Sequence, residues 1–326
     1  MRVIEVREPG GPEQLVAGHR PDPLPGPGEV LVRVAAAGVN RADLMQREGR
    51  YPPPPGAPDW PGLEVSGTVT AAAPDVAAVW PVGSRVAALL AGGGYADLVT
   101  VPAGLLLPVP DDLDLVDAAG LPEAVCTAWS NLVDVGRLAA GDVLLVQGGS
   151  GGVGSIAVQL GAALGARVLT TAGGPERAAR CRDLGADVVI DHRSQDVVAA
   201  VREATDGHGA DVVLDVLGAG ALATHLAALA TGGRLVVIGS QQGTRAELDL
   251  GLLMARRASV AATTLRARPL AEKEQVVADV RTHVWPMLAD GRLRPVVHAR
   301  LPLAEAADAH RLLDSGTVFG KVLLVP

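Results

Sequence analysis

The stretch 142–166, DVLLVQGGSGGVGSIAVQLGAALGA, carries the reading of the fold. Its opening apolar run predicts a strand buried on both faces, and the part from Val153 onward predicts a helix. Between them, Gly149, Gly151 and Gly154 fit a G-x-G-x-x-G spacing. Glycines so placed let the backbone approach a pyrophosphate and let the helix pack closely on the strand. The helix N-terminus then offers free N–H groups and the positive end of its dipole. Alone the spacing is weak, because the chain has 40 glycines and chance matches come easily. Its surroundings decide.

Downstream the same unit recurs. ARVLTTA (166–172) precedes a helix predicted from Pro175, ADVVID (186–191) one from Gln195, and DVVLDVLG (211–218) one from Ala221. GRLVVIGS (233–240) and SVAATTL (259–265) supply a fifth and a sixth strand. Continuous apolar strands alternating with helices make a parallel sheet covered on both faces, a doubly wound dinucleotide-binding domain of the Rossmann kind. Upstream the pattern differs. VLVRVAAAGV (30–39), SGTVTAAA (66–73), SRVAALL (84–90) and YADLVTV (95–101) are short strands punctuated by Gly and Pro, which predicts a barrel-like β domain. YPPPPGAPDWPG (51–62) is expected as an ordered extended loop, since consecutive prolines remove backbone donors. A helix over 271–288 and the strand FGKVLLVP (319–326) return the chain to the first domain. The expected division is therefore 1–122, completed by 266–326, and 123–265.

Composition narrows the function classes. With 326 residues, 48% apolar, the chain is long enough for two cores, and its net charge of -8 argues against a basic nucleic-acid footprint. Four Trp, two Tyr and one Phe are too few for a base-stacking RNA surface. The opening MRVIEVREPGGPEQL has charges where a signal peptide needs an apolar core. No apolar run approaches the roughly 20 residues of a membrane helix. Cys126 and Cys181 are too few for a disulfide framework or a four-thiolate metal site. A cytoplasmic protein without membrane or nucleic-acid partners is expected.

The second strand ends TTAGGPER (170–177), with no acid before Glu176 to hold ribose hydroxyls as NAD-preferring folds do. That absence permits a 2′-phosphate and hence NADPH. Arg177, Arg180, His192 and Arg193 lie nearby in sequence and suit a phosphate, or are ordinary helix-surface charges.

At this point the chain resembles the zinc-free quinone oxidoreductase family of the medium-chain dehydrogenase/reductases, most of all the branch of the tumour-suppressor-induced quinone oxidoreductase. The matching stretches are EPGGPEQL, GEVLVRVAAAGVNRADLMQREGRYPPPPGA, GLEVSG, LLAGGGYADLVTVPAGLLLPVP, LPEAVCTAWSNL, GGSGGVGSIAVQL, LGADVVID and FGKVLL. They span nearly the whole chain, and NRADLMQR…YPPPPGA is the most specific. The resemblance implies an α/β fold, an N-terminal GroES-like β-barrel domain plus a Rossmann domain, and a homodimer joined along edge strands of the Rossmann domains. Where zinc-dependent relatives carry a cysteine, a histidine and a third ligand, this chain has Asn40, Leu63 and Ala124, and the structural-zinc lobe is missing. Zinc needs about three or four N, S or O ligands at fixed spacing, so none is expected.

Without a Lewis acid, a quinone or an α,β-unsaturated carbonyl is an easier acceptor than a simple ketone, because it takes hydride into a conjugated system. The resemblance places Asn40 and Tyr51 near the nicotinamide, Asn40 with an amide N–H to offer and Tyr51 with a hydroxyl. Otherwise they are a turn residue and a packing aromatic. It implies that Thr127 approaches the nicotinamide-phosphate end, and that Ser150, Gly151, Gly152 and Val153 line the pyrophosphate. Gly174 stands where NADPH-binding relatives often have serine or threonine, Arg177 where they often have lysine, and His192 where they often have tyrosine. Ile238 and Gly239 fall near the ribose and Leu265 beside the nicotinamide, while Phe319 and Lys321 belong to a segment closing over the cofactor. Glu64 reads as an interior scaffold carboxylate.

Three readings stay open: an NADPH:quinone oxidoreductase, an enoyl reductase acting on an activated alkene or thioester, and a non-catalytic NADPH-binding protein. The YPPPPGA segment favours the first. A free-standing chain with no acyl-carrier domain speaks mildly against a synthase module.

Overall fold

The computed structural model describes residues 1–326, which divide into two units. One comprises Met1–Cys126, Leu265–Ala289 and Pro295–Pro326; the other comprises Thr127–Thr264 and Asp290–Arg294.

In the first unit the organising strand is Glu29–Val39. Val30, Val32 and Val34 point into the core while Arg33 is exposed, the alternation expected of a half-buried strand. It pairs antiparallel with Glu64–Ala72, Leu98–Pro102 and Lys321–Val325. The sheet runs Val297–Pro302, Lys321–Val325, Glu29–Val39, Glu64–Ala72, Arg85–Leu89, Leu106–Pro108. The last strand of the chain thus returns to the long strand near its beginning. Arg2–Val6 and Leu15–His19 form a separate ribbon. Residues 51–62 hold no regular helix or strand, as four successive prolines require.

In the second unit six parallel strands run in the order Val188–Ile190, Arg167–Thr171, Val143–Val146, Ala210–Asp215, Leu229–Val237, Ser259–Ala262. The order reverses direction between Val143–Val146 and Ala210–Asp215, so the crevice beyond their carboxyl ends is the dinucleotide position of this fold. Leu144, Leu145 and Val146 are fully buried, as a strand covered on both faces must be.

Several elements differ from expectation. The helix over 271–288 is two helices, Leu270–His283 and Pro286–Ala289. The residue before a proline is disfavoured in the α region, and Trp285 is that residue. The helix expected from Gln195 begins at Val197, because the Asp196 carboxylate accepts the Ala199 N–H and caps it. The helices Arg41–Arg47, Leu250–Arg256 and Ala306–Asp314 were not expected from the sequence, although the last buries Ala306, Ala309 and His310 on one face. Nor was the π-helical turn Ser130–Val135, which follows the helix Pro122–Trp129.

Candidate active site and cofactor cradle

Asn40 ends the long strand and begins the helix Arg41–Arg47, and it is 8% exposed. Its amide is held at both ends. Nδ2 donates to Glu64 Oε1 at 2.9 Å and more weakly to the Gly38 carbonyl at 3.4 Å, while Oδ1 accepts from Lys321 Nζ at 2.7 Å. Lys321 also pairs with Glu64 Oε1 at 2.5 Å, and Glu64 Oε2 accepts the Glu123 N–H at 2.9 Å. A buried ion pair is tolerable only with its remaining hydrogen-bonding sites satisfied, and this carboxylate meets that condition. Gly38 makes room: a Cβ there would lie 2.2 Å from Glu64 Oε1 and 2.8 Å from the Ala119 carbonyl. The Lys321 ammonium is thus buried between Glu64 and Asn40, where an interior cation finds its counter-charge within reach.

Below Asn40 lies a second buried group. The Asp43 carboxylate accepts the Asn40 N–H at 2.8 Å and the Gly62 N–H at 2.9 Å. Burial raises its pKa to about 6, against the pull of those two N–H groups and of the Lys321 and Arg266 charges. Tyr95 stays protonated far into the alkaline range, mainly through burial and then through the nearby Asp43 charge. Its oxygen is 3.1 Å from His310 Nε2, and Arg47 lies 3.4 Å from His310 Nδ1.

Tyr51 follows the same helix: its N–H donates to the Met45 carbonyl at 3.2 Å. Arg266 donates to the Tyr51 carbonyl at 3.2 Å and stands 5.3 Å from the centre of its ring. The two expected catalytic residues therefore hang on one short helix, Asn40 before it and Tyr51 after it. Leu63, Leu89, Leu90, Glu123, Leu265, Arg266 and Lys273 line a small, tight recess in this unit.

Donors for a metal do not assemble here. Leu63 and Ala124 are buried and apolar, and Glu64 is committed to Lys321. The Cys126 thiol is driven strongly upward by burial, then by Glu123 and Glu64, which opposes the thiolate a zinc ion needs. No group of three or more His, Cys, Asp or Glu side chains is placed to hold an ion.

In the second unit the glycine loop joins Val143–Val146 to the helix Gly152–Ala163. The loop is tied to the neighbouring strand by Gly148 N to Thr171 Oγ1 at 2.9 Å and Gly149 N to the Thr171 carbonyl at 3.0 Å. A Cβ on Gly149 would meet Thr170 Oγ1 at 2.2 Å, and one on Gly154 would meet the Gly148 carbonyl at 2.0 Å. At Gly151 a Cβ would make only ordinary contact, 3.4 Å from the Gly148 carbonyl. Gly151 also precedes the helix without a capping side chain. A close-packed turn ending in an uncapped helix start fits a pyrophosphate, with Ser150, Gly151, Gly152 and Val153 around it.

Gly174 and His192 follow the next two strands, Arg167–Thr171 and Val188–Ile190, and Arg177 lies in the first turn of the helix Pro175–Asp183. Gly174 has φ +86° and donates its N–H to Asp191 Oδ2 at 3.2 Å. The same carboxylate accepts the Arg193 N–H at 3.0 Å, and the Arg193 guanidinium lies so close to Gly173 that a Cβ there would be 2.5 Å from its Nε. Ile238 and Gly239 follow the fifth strand; Ile238 N–H donates to the Asp215 carbonyl at 2.8 Å, and a Cβ on Gly239 would be 2.6 Å from the Val216 carbonyl. Thr127 belongs to this unit, and its carbonyl accepts from Asn131 Nδ2 at 2.8 Å. Leu265, Phe319 and Lys321 belong to the other.

Sequence reasoning missed Arg266, Asp43, the Tyr95–His310 pair and Asn131, whose Oδ1 also accepts from Thr263 Oγ1 at 2.6 Å. One signal was available: Lys273 and Lys321 are the only lysines, and both are buried.

Residues 26–111 match the alcohol dehydrogenase GroES-like domain model and residues 152–281 the zinc-binding dehydrogenase model. A mycobacterial protein solved with NADPH is 35% identical, covers 100% of both chains and superposes with a TM-score of 0.89. The Escherichia coli quinone oxidoreductase solved with NADPH is 28% identical over 100% of both chains, also with a TM-score of 0.89. A phenolphthiocerol/phthiocerol polyketide synthase polypeptide of Mycobacterium tuberculosis is 36% identical over 98% of this chain, which spans 14% of that relative's length. The chain belongs to the medium-chain dehydrogenase/reductase superfamily, with its GroES-like domain and its Rossmann-like parallel sheet.

Proposed function

We propose that this chain is a zinc-independent oxidoreductase that uses NADPH to reduce a quinone. The observation that carries the reading is the Asn40–Glu64–Lys321 cluster. Where a metal-dependent relative needs donors for a Lewis acid, this chain has a closed set of hydrogen bonds beside Leu63. A conjugated acceptor disperses the negative charge that a simple ketone would concentrate, and ordinary donors suffice to stabilise it. NADPH bound in relatives of the same fold supports the choice of cofactor. When bound, the reduced nicotinamide supplies the hydride. The uncapped start of the helix Gly152–Ala163 binds the pyrophosphate, and Arg177 and His192 hold the 2′-phosphate. The Tyr51 hydroxyl donates to the acceptor oxygen as charge develops there, and Asn40, fixed at both amide ends, shapes the wall beside it. A homodimer joined along the sheet edge Ser259–Ala262, near the exposed Leu250, Met254 and Val260, belongs to the same reading, and sedimentation equilibrium tests it.

A second reading, reduction of an enoyl thioester, is favoured by the 36% identity to a polyketide synthase polypeptide. A panel of ortho- and para-quinones, enones and enoyl thioesters under NADPH and NADH, run on protein of measured zinc content, separates the two. Quinone turnover with NADPH by protein holding well under one zinc per chain is the expected result. Turnover of enoyl thioesters alone transfers the assignment to the second reading, and turnover of nothing points to a binding protein.

A further inference from the structure

Arg266 is 5% exposed and forms no ion pair. Its acceptors are neutral and come from three separate segments. Nε donates to the Ala91 carbonyl at 2.7 Å, one terminal nitrogen to the Tyr51 carbonyl at 3.2 Å, and the other to Gln46 Oε1 at 2.6 Å. The guanidinium also lies 5.3 Å from the Tyr51 ring centre. Taking a cation out of water is costly; the Asp43 charge offsets part of that cost without touching the guanidinium, whose hydrogen bonds all go to backbone and amide oxygens.

The use of those bonds follows from the loop that Tyr51 opens. Residues 52–55 are all proline and have no N–H with which to anchor themselves. The far end of the loop is pinned from outside, by Gln46 Nε2 to the Asp59 carbonyl at 2.8 Å and by Trp60 Nε1 to the Gly93 carbonyl at 3.0 Å. At the near end Arg266 holds the loop, and through Gln46 it shares an anchor with the far end. Only a planar fork with donors in fixed directions reaches all three acceptors; a lysine ammonium is a single point.

We propose that Arg266 is a positioning residue whose guanidinium clamps the ring and carbonyl of Tyr51, so that its hydroxyl is presented in one place. The catalytic half of this inference rests on Tyr51 being the donor to the acceptor oxygen; the clamp itself does not.

The chain has two tyrosines, so protein labelled with 3-fluorotyrosine gives two ¹⁹F resonances, and Tyr51→Phe assigns them. In Arg266→Lys the Tyr51 resonance should narrow and move toward the free amino acid value. The Tyr95 resonance, from a fully buried ring, should stay and report an intact fold. With a quinone, kcat should fall about tenfold while the KM for NADPH holds. Added guanidinium should restore part of the activity of Arg266→Ala, and in a Tyr51→Phe background Arg266→Lys should cost less than about twofold. A Tyr51 resonance unmoved in the folded variant overturns the clamp. An undiminished loss in the Tyr51→Phe background overturns its action through Tyr51. If the resonance moves while the unaltered protein reduces no quinone, the clamp stands and the choice of acceptor falls.

Discussion

Replacing His310 by glutamine isolates one proton in the buried network below Asn40. Arginine has no acceptor lone pair, so its 3.4 Å contact makes His310 Nδ1 the acceptor and leaves the ring proton on Nε2, which donates to Tyr95. Burial, then the Arg47 and Arg41 charges, holds the His310 pKa down to about 3. An unfolded histidine titrates near about 6.5. The folded value is depressed, so this stability is present above about pH 6.5 and is lost as pH falls toward 3, by about 1.4 kcal/mol per pH unit. Asp43 runs the other way. Its folded value, about 6, lies above the unfolded one. Its contribution is therefore complete below about pH 4 and is lost as pH rises through 6, with a slope of equal size and opposite sign. Over about pH 4–6 the two offset each other.

His310→Gln keeps an amide donor and acceptor but binds no proton, so only the Asp43 slope of the pair survives. At pH 7 the variant should be the less stable protein, through its poorer hydrogen bonds. That deficit should shrink by about 3 kcal/mol between pH 7 and pH 4, because the unaltered protein loses its histidine contribution over the same range. Urea denaturation at half-unit intervals from pH 4 to 7.5, followed by near-ultraviolet circular dichroism, measures the difference directly, and proton linkage common to both proteins cancels. A deficit that is the same at pH 4 and pH 7 would falsify a neutral His310 and with it the proton direction assigned between His310 and Tyr95.

Gly154→Ala places a methyl 2.0 Å from the Gly148 carbonyl, so the loop must open and NADPH affinity by fluorescence titration should weaken at least about tenfold; unchanged affinity would remove the glycine turn from the cofactor site. Arg177→Ala combined with His192→Ala should raise the KM for NADPH and leave NADH nearly untouched; equal losses with both cofactors would defeat the 2′-phosphate assignment.

The parallel sheet was readable because each of its strands is a local signal: Val143–Val146 is apolar on both faces, and a glycine loop and helix follow at once. The cluster around Asn40 was not, because its partners are remote in the chain. Lys321 is 281 residues away, and only the return of the last strand to Glu29–Val39 brings its ammonium to the amide. Arg266 was hidden similarly, since its meaning comes from Gln46, Tyr51 and Ala91, about two hundred residues earlier. The helix Leu250–Arg256 escaped because it is apolar nearly throughout: Leu252 and Leu253 pack on the core while Leu250 and Met254 are exposed, so no polar face marks its period. The lysines were the missed opportunity. In a chain that otherwise uses arginine, a retained lysine marks a place for a compact cation, and Lys321 beside Glu64 is such a place.

The cluster also explains why Asn40 suits a reaction without a Lewis acid. A metal organises its surroundings by charge and ligand geometry, and removing its ligands leaves polar groups to be satisfied by other means. Here Glu64 takes the Asn40 amide hydrogen, the Lys321 ammonium and the Glu123 N–H, so its charge is compensated before any substrate arrives. The amide of Asn40 cannot flip without setting its NH₂ against Lys321 and its oxygen against Glu64, which fixes its orientation by electrostatics rather than by packing alone. Asp43 fixes its backbone in turn, through the N–H at 2.8 Å. Dipoles held this way need no reorganisation when charge develops nearby, which is the main electrostatic service a protein can render to a conjugated acceptor. Catalysis in the proposed reaction then depends on rigidity at Asn40 and Tyr51, and each is held by a buried cation, Lys321 for the one and Arg266 for the other.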